Sequence, residues 1–338
     1  MIKEQIKLLL SEGEFPEISH RKKLVETHIS WVILCDEFVY KIKKPVKYPF
    51  LNFSTIALRK HFCEREIELN RRMSKNLYLE VLPVTFLNER YYVGHDKAGV
   101  IDYAVKMRKL NPEKQMDVLL ANNKLGPDDI KNLAECIATF HKGAKVIYNK
   151  RVLNLKIKFN ELEGQKEFIS ENLNKEFGEL IDRAIEKSDI FLNKNLKLLE
   201  ERLKAGLFRD CHGDLHTRNI FLLPAPQPFD CVEFNDEFRQ IDVLNEVAFL
   251  CMDLDAMERK DLSNLFIEHY NFLFPTMKNR IESQLFIYYK SYRANIRAKV
   301  NSLRAFSSSD ELSKSEALKE AEKYLKLMES YMNELTAS

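Results

Sequence analysis

The feature that most constrains this chain is a short central segment that interrupts a helical pattern. Residues 159–203 and 243–332 are rich in Glu, Lys and Leu and have apolar residues at helical spacing, whereas residues 208–238 are irregular and strand-like. The segment carries the spacing H-x-D-x-x-x-x-N, from His212 to Asn219. The fold therefore has to hold a polar loop and short strands among helices.

The first hundred residues are rich in strand patterns. Residues 28–35 and 38–43 alternate apolar and polar positions around Asp36-Glu37, which predicts a hairpin. The other predicted elements of this part are a helix over 54–73, strands over 80–86 and 91–93, and a strand over 101–110. A small β-rich part followed by a larger helical part predicts an α+β fold.

The composition is that of an ordinary globular protein. The 338 residues are long enough for two compact lobes. The formal net charge is only +2, which argues against a general affinity for nucleic acid or for an anionic membrane. No window reaches the roughly 20 apolar residues of a membrane-spanning helix.

The six cysteines are scattered and form no C-x-x-C pair, so they are expected to be reduced thiols. The opening segment, residues 1–15, is an amphipathic helix start whose apolar run is too short for a signal peptide. Together these features predict a cytoplasmic protein.

The central spacing has a chemical explanation. Phosphoryl transfer needs a carboxylate that accepts the proton of the attacking hydroxyl, and an oxygen ligand that holds Mg²⁺ on the phosphates. Asp214 fits the first role and Asn219 the second, and this is the spacing of kinase catalytic loops. Asp230 follows a strand and a Pro-rich turn, where a second metal ligand is expected.

Other interpretations of the same segment remain open. His212 could be a core histidine and Asp214 a surface acid with no catalytic role. Alternatively, His212, Asp214 and His216 could be metal ligands of a hydrolase, since alternation would place them on one side of a strand. The chain shows no further Gly-Asn-His or His-x-Asp group to complete such a centre.

A kinase also needs a strand lysine paired with a helix glutamate. Lys41 and Lys43 lie on the same face of the predicted strand. Lys41 is favoured because strand residues flank it on both sides. The candidate partners are Glu64, Glu66 and Glu68, and Glu66 is favoured because it lies beside the apolar stripe of its helix.

The strand over 101–110 predicts a nucleotide-base site at its end. Asn111-Pro112 stops the strand. Backbone groups of Arg108 to Leu110 would then be free to bond an adenine edge, with Met107 lining the pocket. The alternative is an ordinary strand end.

With these residues in place, the chain resembles the aminoglycoside phosphotransferase-like family, which has a protein-kinase-like fold. His212 to Asn219 resembles the HGDLHxxN loop of that family. Residues 39–46, 63–72, 105–108, 230–235 and 292–300 resemble a bacterial subgroup described as aminoglycoside phosphotransferase family enzymes. The resemblance spans roughly residues 25–300.

The resemblance implies a bilobal fold, with a nucleotide-binding lobe over residues 1–107 and a catalytic and substrate-binding lobe over 108–338. It implies Mg²⁺ as cofactor, ATP or GTP as phosphate donor and a hydroxylated small molecule as acceptor. Asp214 would be the base, Asn219 and Asp230 the Mg²⁺ ligands, and Lys41 with Glu66 the phosphate-positioning pair. His216 takes the place of a lysine that protein kinases often carry near the transferred phosphate.

The chain departs from related patterns in three ways. It has no G-x-G-x-x-G loop. In addition, no Phe-Gly follows Asp230, and this second absence argues against the activation switch of protein kinases. It also has no G-x-x-x-x-G-K-[ST] sequence, which predicts the stand-alone form without an added P-loop kinase domain. A protein Ser/Thr kinase and a nucleotide-binding pseudokinase stay open as alternatives.

Two groups of charges bear on the acceptor. Lys290, Arg293 and Arg297 share one helix face, and they could either bind an anionic acceptor or form a solvated surface. A cationic acceptor would instead need an acidic pocket. The acidic candidates are Asp236, Glu237, Asp242, Glu246, Asp253 and Asp255. Asp242 also follows Arg239 by three residues, which predicts a buried structural ion pair.

Overall fold

The computed structural model describes residues 1–95 and 99–337. The strands are β1 (Lys23–Glu26), β2 (Ser30–Leu34), β3 (Phe38–Lys43), β4 (Lys47–Tyr48), β5 (Leu51–Asn52), β6 (Tyr78–Leu87), β7 (Arg90–Val93), β8 (Val100–Arg108), β9 (Phe208–Asp210), β10 (Ile220–Phe221), β11 (Gln227–Pro228) and β12 (Gln240–Asp242). The helices are α1 (Lys3–Glu12), α2 (Ile56–Asn70), α3 (Met116–Ala121), α4 (Pro127–Gly143), α5 (Asn154–Asn160), α6 (Lys166–Asn172), α7 (Lys175–Lys194), α8 (Leu196–Lys204), α9 (Asp236–Arg239), α10 (Val243–Ala256), α11 (Lys260–Leu273), α12 (Arg280–Ser307) and α13 (Glu311–Ala337).

The chain forms two compact units that do not follow a single sequence boundary. Unit 1 comprises Met1–Asn122 and Arg218–Phe238, and unit 2 comprises Asn123–Thr217 and Arg239–Ser338. The lobe boundary at residue 107 stays a prediction of the sequence. The predicted α+β class is confirmed, with strands concentrated in unit 1 and helices in unit 2.

Unit 1 is built on a six-stranded antiparallel sheet with the order β1-β2-β3-β8-β6-β7. The predicted hairpin around Asp36-Glu37 forms β2 and β3, because alternating residues bury Ile33, Tyr40 and Ile42 on one face. Helix α2 begins where the Thr55 hydroxyl accepts a hydrogen bond from the Leu58 amide at 3.2 Å. These elements place Lys41, Lys43 and α2 within one unit.

Unit 2 is a helical assembly around α10. This helix is buried from Val243 to Leu254, in keeping with its apolar sequence, and it packs against α11 and α12. Helices α12 and α13 pack along each other, and the antiparallel pair β9–β12 precedes α10. The short strands therefore bring the loop after Asp210 next to the start of α10.

Buried arginines organise the core of unit 2. Arg202 donates to both oxygens of Asp242, at 2.6 and 2.8 Å, and to Glu282 at 2.9 Å. Arg239 instead pairs with Asp210 at 2.5 Å. The predicted buried ion pair between Arg239 and Asp242 is therefore wrong in its partners, because the β9–β12 register sets Gln240 opposite Asp210 and places Arg239 beside that carboxylate.

All six cysteines are free thiols, and five of them are buried. Within residues 1–95 and 99–337, the helices are too short or too polar to cross a membrane.

Candidate active site

The predicted site residues are divided between the two units. Asp214 and His216 belong to unit 2, and the predicted metal and nucleotide residues belong to unit 1. The chain passes from unit 2 to unit 1 between Thr217 and Arg218, within the His212–Asn219 spacing.

In unit 1, Lys41 bridges two carboxylates. Its ammonium group lies 2.8 Å from Glu66 Oε1 and 2.6 Å from Asp230 Oδ1. Partial burial alone would lower the pKa of Lys41, but Asp230 and Glu66 raise it well above its usual value. The structure thus brings together three side chains that are far apart in the sequence, and it keeps a fixed positive charge beside Asp230.

A second lysine supports the same glutamate. Lys43 is fully buried and lies 2.6 Å from Glu66 Oε2, and it also bonds to Glu233. Sequence reasoning gave Glu233 no role, although an acid within the apolar residues Cys231–Phe234 was a usable signal. With one lysine on each oxygen, the Glu66 carboxylate is held in a single orientation.

The alternative glutamates point away from this network. Glu64 is exposed and lies 3.9 Å from Lys60, and Glu68 pairs with Arg65 at 2.8 Å on the surface of α2. Glu66 is buried because it occupies the stripe of α2 that faces the sheet. Helical position therefore decides which glutamate meets the lysines.

The Glu66 network predicts a specific acid sensitivity. Burial alone would raise the pKa of Glu66, but Lys41 and Lys43 lower it to about 2 from the usual 4.5. Because the folded-state pKa is the lower one, the stabilisation is present above pH 4.5 and is lost as the pH falls toward 2. We expect Glu66→Gln to flatten the pH dependence of the unfolding free energy by up to about 1.4 kcal/mol per pH unit.

Urea unfolding at several pH values between about 5 and 3 measures this slope. Glu64→Gln on the same helix is the matched control and should keep the native slope, since Glu64 is exposed. Burial is the main cause that raises the pKa of Glu233. Protonation of Glu233 on acidification therefore favours the folded state, whereas protonation of Glu66 disfavours it. The Glu66 contribution is therefore read from the difference between the variants. Identical slopes in all three proteins would contradict the prediction.

Asn219 and Asp230 flank one short hairpin in unit 1. Strands β10 and β11 pair Ile220 with Pro228, and the Phe229 amide donates to the Asn219 carbonyl at 2.9 Å. Asp230 has a φ of 61° and its amide donates to the Tyr78 hydroxyl at 2.9 Å. The hairpin therefore places both predicted metal ligands at its open end. Their carboxylate and amide oxygens are the hard donors that Mg²⁺ prefers.

The predicted adenine site is only partly available. The Arg108 amide donates to the Leu77 carbonyl, and the Lys109 amide donates to the Glu37 carbonyl. These two donors are therefore not free, contrary to the prediction, because neighbouring segments of unit 1 pair with the end of β8. Met107 is buried in an apolar cluster that also contains Leu110 and Phe229. Phe229 directly precedes Asp230 in the chain.

In unit 2, the loop that carries Asp214 is anchored by a buried carboxylate. Both oxygens of Glu246 on α10 accept hydrogen bonds from the amides of His212 and Gly213, at 2.9 to 3.1 Å. Gly213 has a φ of 89°, a conformation that favours glycine. The Asp214 amide then donates to His212 Nδ1 at 3.2 Å. The backbone around Asp214 is held from within unit 2.

His216 lies beside the carboxylate of Asp214. Its Nε2 is 3.4 Å from Asp214 Oδ2, and the side chain of Asp214 is 41% exposed. Partial burial would raise the pKa of Asp214, but His216, His212 and Arg297 lower it below its usual value. Asp214 is therefore an ionised, accessible carboxylate at neutral pH, the state that a proton acceptor needs.

One group in the described part of the chain has the makeup of a transition-metal site. Ligand atoms of His141, Cys211 and Glu246 lie within 4.8 Å of one another. His141 already bonds to the Tyr270 hydroxyl at 2.7 Å, and Glu246 holds the loop amides. The group contains neither Asp214 nor His216, so it gives no support to the hydrolase interpretation.

Two of the three cations on the predicted face of α12, Lys290 and Arg293, are buried. Lys290 is buried and pairs with Asp255 at 3.0 Å. Arg293 is buried, donates to the Asn245 side chain at 2.7 Å and stacks on the Phe249 ring at 4.8 Å. The helix packs these two cations inward, and Arg293 also contacts the Gly213 carbonyl at 3.4 Å.

Comparison with known proteins first identifies relatives by sequence. No family model matches the chain. Uncharacterized proteins of Mycobacterium tuberculosis and Mycobacterium bovis are 30% identical to it over 288 residues, which is 82% of this chain and 54% of each relative. The chain thus spans about half the length of the curated relatives it matches.

Solved structures identify the fold. A choline/ethanolamine kinase family protein from Mesorhizobium loti has a TM-score of 0.52 and 13% identity, and covers 97% of this chain and 98% of its own. A choline kinase from Cryptosporidium parvum has a TM-score of 0.54 and 12% identity, and the match covers 94% of this chain and 90% of the choline kinase. An ADP-bound aminoglycoside phosphotransferase has a TM-score of 0.50 and 16% identity, and the match covers 98% of this chain and 99% of the phosphotransferase.

These neighbours share the protein-kinase-like fold, and the chain has that fold. The resemblance found in the sequence is confirmed at this level.

Proposed function

We propose that this protein transfers the γ-phosphate of ATP or GTP to a hydroxyl group of a small molecule in a Mg²⁺-dependent reaction. The observation that carries the proposal is the bridge from Lys41 to Glu66 and Asp230 within unit 1, at 2.8 and 2.6 Å. A lysine held between a helix glutamate and a metal-binding aspartate is the arrangement that positions nucleotide phosphates in kinases. The fold adds support, since one similar phosphotransferase is bound to ADP.

The residues divide the chemistry among themselves. Asn219 and Asp230 would hold Mg²⁺, which supplies charge neutralisation at the phosphates. Lys41 would bind phosphate oxygens and is kept protonated by its carboxylate partners. Asp214 would accept the proton of the acceptor hydroxyl. His216 would bond to Asp214 and orient the Asp214 carboxylate. Met107 and Leu110 would contact the nucleotide base from the apolar cluster of unit 1.

The first test is nucleotide binding. We expect ATP or GTP with Mg²⁺ to raise the melting temperature, and Lys41→Met to weaken nucleotide affinity about 10- to 100-fold, because a charge-assisted contact to phosphate is lost. Isothermal titration calorimetry measures the affinity. Asp230→Asn should reduce the gain in affinity that Mg²⁺ provides.

Lys23→Met is the matched control, since Lys23 is exposed on β1 of the same sheet. It should bind nucleotide as the native protein does. Nucleotide consumption with a library of hydroxylated acceptors then tests transfer. A native protein that binds neither ATP nor GTP would overturn the proposal, and one that binds nucleotide without consuming it would favour the pseudokinase alternative.

A further inference from the structure

The acidic residues that could have formed a pocket for a cationic acceptor in unit 2 are already engaged. Asp242 pairs with Arg202, and Glu246 accepts the amides of the His212–Gly213 turn. Asp253 accepts from the Thr217 hydroxyl at 2.6 Å and lies 3.3 Å from the Tyr324 hydroxyl. Asp255 pairs with Lys290 and bonds to Tyr331. These four carboxylates stabilise unit 2 and are not placed to bind a polycation.

Arg297, the third cation of this helix face, bonds to the Tyr324 side chain and interacts with the charges of Asp253 and Asp214. Lys290 and Arg293 are engaged in the interior, whereas Arg297, one turn further along α12, is partly exposed. Within the described residues, the Arg297 Nε is buried and has no hydrogen-bond partner. A buried guanidinium donor without a partner costs free energy. A guanidinium group pairs best with an oxyanion, which would approach through the exposed part of the Arg297 side chain.

The position of Arg297 links it to the catalytic loop within unit 2. Its guanidinium carbon lies 5.3 Å from the centre of the Tyr324 ring. Tyr324 contacts Asp253, which in turn holds Thr217, three residues after Asp214. Arg297 is also close enough to contribute to the lowered pKa of Asp214. A group bound to Arg297 would therefore lie on the Asp214 side of α12.

We propose that Arg297 binds an oxyanion of the acceptor, so that the acceptor is a hydroxylated small molecule carrying a carboxylate or phosphate group. This inference rests on the proposed phosphotransferase function and adds the class of its substrate. Arg297 would pair with the anion, and the acceptor hydroxyl would be presented to Asp214. The planar guanidinium suits both kinds of oxyanion.

The test compares acceptors that differ only in charge. Glycerate and glycerol 3-phosphate are each compared with glycerol, and ethanolamine and kanamycin serve as cationic probes. ADP release gives kcat/KM, and calorimetry with a non-hydrolysable ATP analogue and Mg²⁺ gives binding without turnover. We expect one of the two anions to bind and react better than glycerol and the cations. The better anion distinguishes a carboxylate from a phosphate site.

Variants of α12 connect the effect to Arg297. Arg297→Gln should lower the affinity for the anionic acceptor about 10- to 100-fold, and Arg297→Lys should lose less because it keeps the charge. Arg304→Gln is the matched control, since Arg304 is exposed on the same helix. It should leave anion binding unchanged. If Arg297→Gln unfolds, the comparison of Arg297→Lys with the native protein carries the test.

Several results would overturn the inference. They are preference for glycerol or a cation, failure of both anions to bind, and equal anion affinity in the native and Arg297 variants. Weaker nucleotide binding with unchanged acceptor binding in Arg297→Gln would also overturn it, since Arg297 would then serve the nucleotide. If the native protein binds nucleotide in these experiments, the failure concerns the acceptor class alone. If it binds no nucleotide, the proposed function itself fails.

Discussion

Replacing Asp214 by Asn is expected to lower the rate of phosphoryl transfer about 10²- to 10⁴-fold, the usual contribution of a positioned general base. The amide keeps the size of the side chain and cannot accept the proton of the acceptor hydroxyl. His216 would remain in place but would lose its carboxylate partner at 3.4 Å. The affinity for nucleotide should change little, because the proposed phosphate contacts come from Lys41 and Asp230.

Initial rates of ADP release with a reactive acceptor measure phosphoryl transfer. Calorimetry measures the affinity for nucleotide separately. Asp128→Asn is the matched control, since Asp128 is exposed in the first turn of α4. It should retain the native rate. A nearly native rate in Asp214→Asn would show that another group accepts the proton, and the assignment of the base would be wrong.

Replacing Arg202 by Met is expected to cost about 3–5 kcal/mol of folding free energy. Arg202 is 2% exposed and satisfies Asp242, Glu282 and the Thr276 carbonyl at distances of 2.6 to 2.9 Å. Methionine fills a similar volume but leaves two carboxylates in the interior without their cation. Breaking one side of a buried ion pair is far more costly than losing a pair at the surface.

Urea unfolding, followed by circular dichroism, measures this loss. Lys204→Met on the same helix is the control, because Lys204 is exposed and its change should stay within about 0.5 kcal/mol. A loss below about 1 kcal/mol in Arg202→Met would show that water or proton uptake compensates the carboxylates.

Arg202 also bears on the proposed chemistry. Asp242, its main partner, accepts the Leu244 amide at 2.9 Å and thereby caps the start of α10. One turn later, Glu246 of α10 holds the amides of His212 and Gly213. A disturbance at Arg202 can therefore reach the backbone of Asp214 through this contiguous set of contacts, all within unit 2.

The apolar periodicity of the sequence was sufficient to predict five of the six strands in the sheet of unit 1, all except β1. The hairpin of residues 28–43 and the helix that begins after Ser54 follow from spacing, because burying one face of a strand or helix needs apolar residues at period two or 3.6. The choice of Glu66 over Glu64 followed from the same rule, since only Glu66 lies on the buried stripe of α2.

Spacing does not carry information about partners that are distant in the chain. Only the tertiary structure showed that Lys43 and Glu233 join the Glu66 network, that Arg239 pairs with Asp210, and that neighbouring segments use the amides of Arg108 and Lys109. Periodicity assigns a side chain to a face, whereas strand register and helix packing decide which side chains meet there. The face of Lys41 was therefore determined by the sequence, and its contact with Asp230, 189 residues away, was decided by the fold.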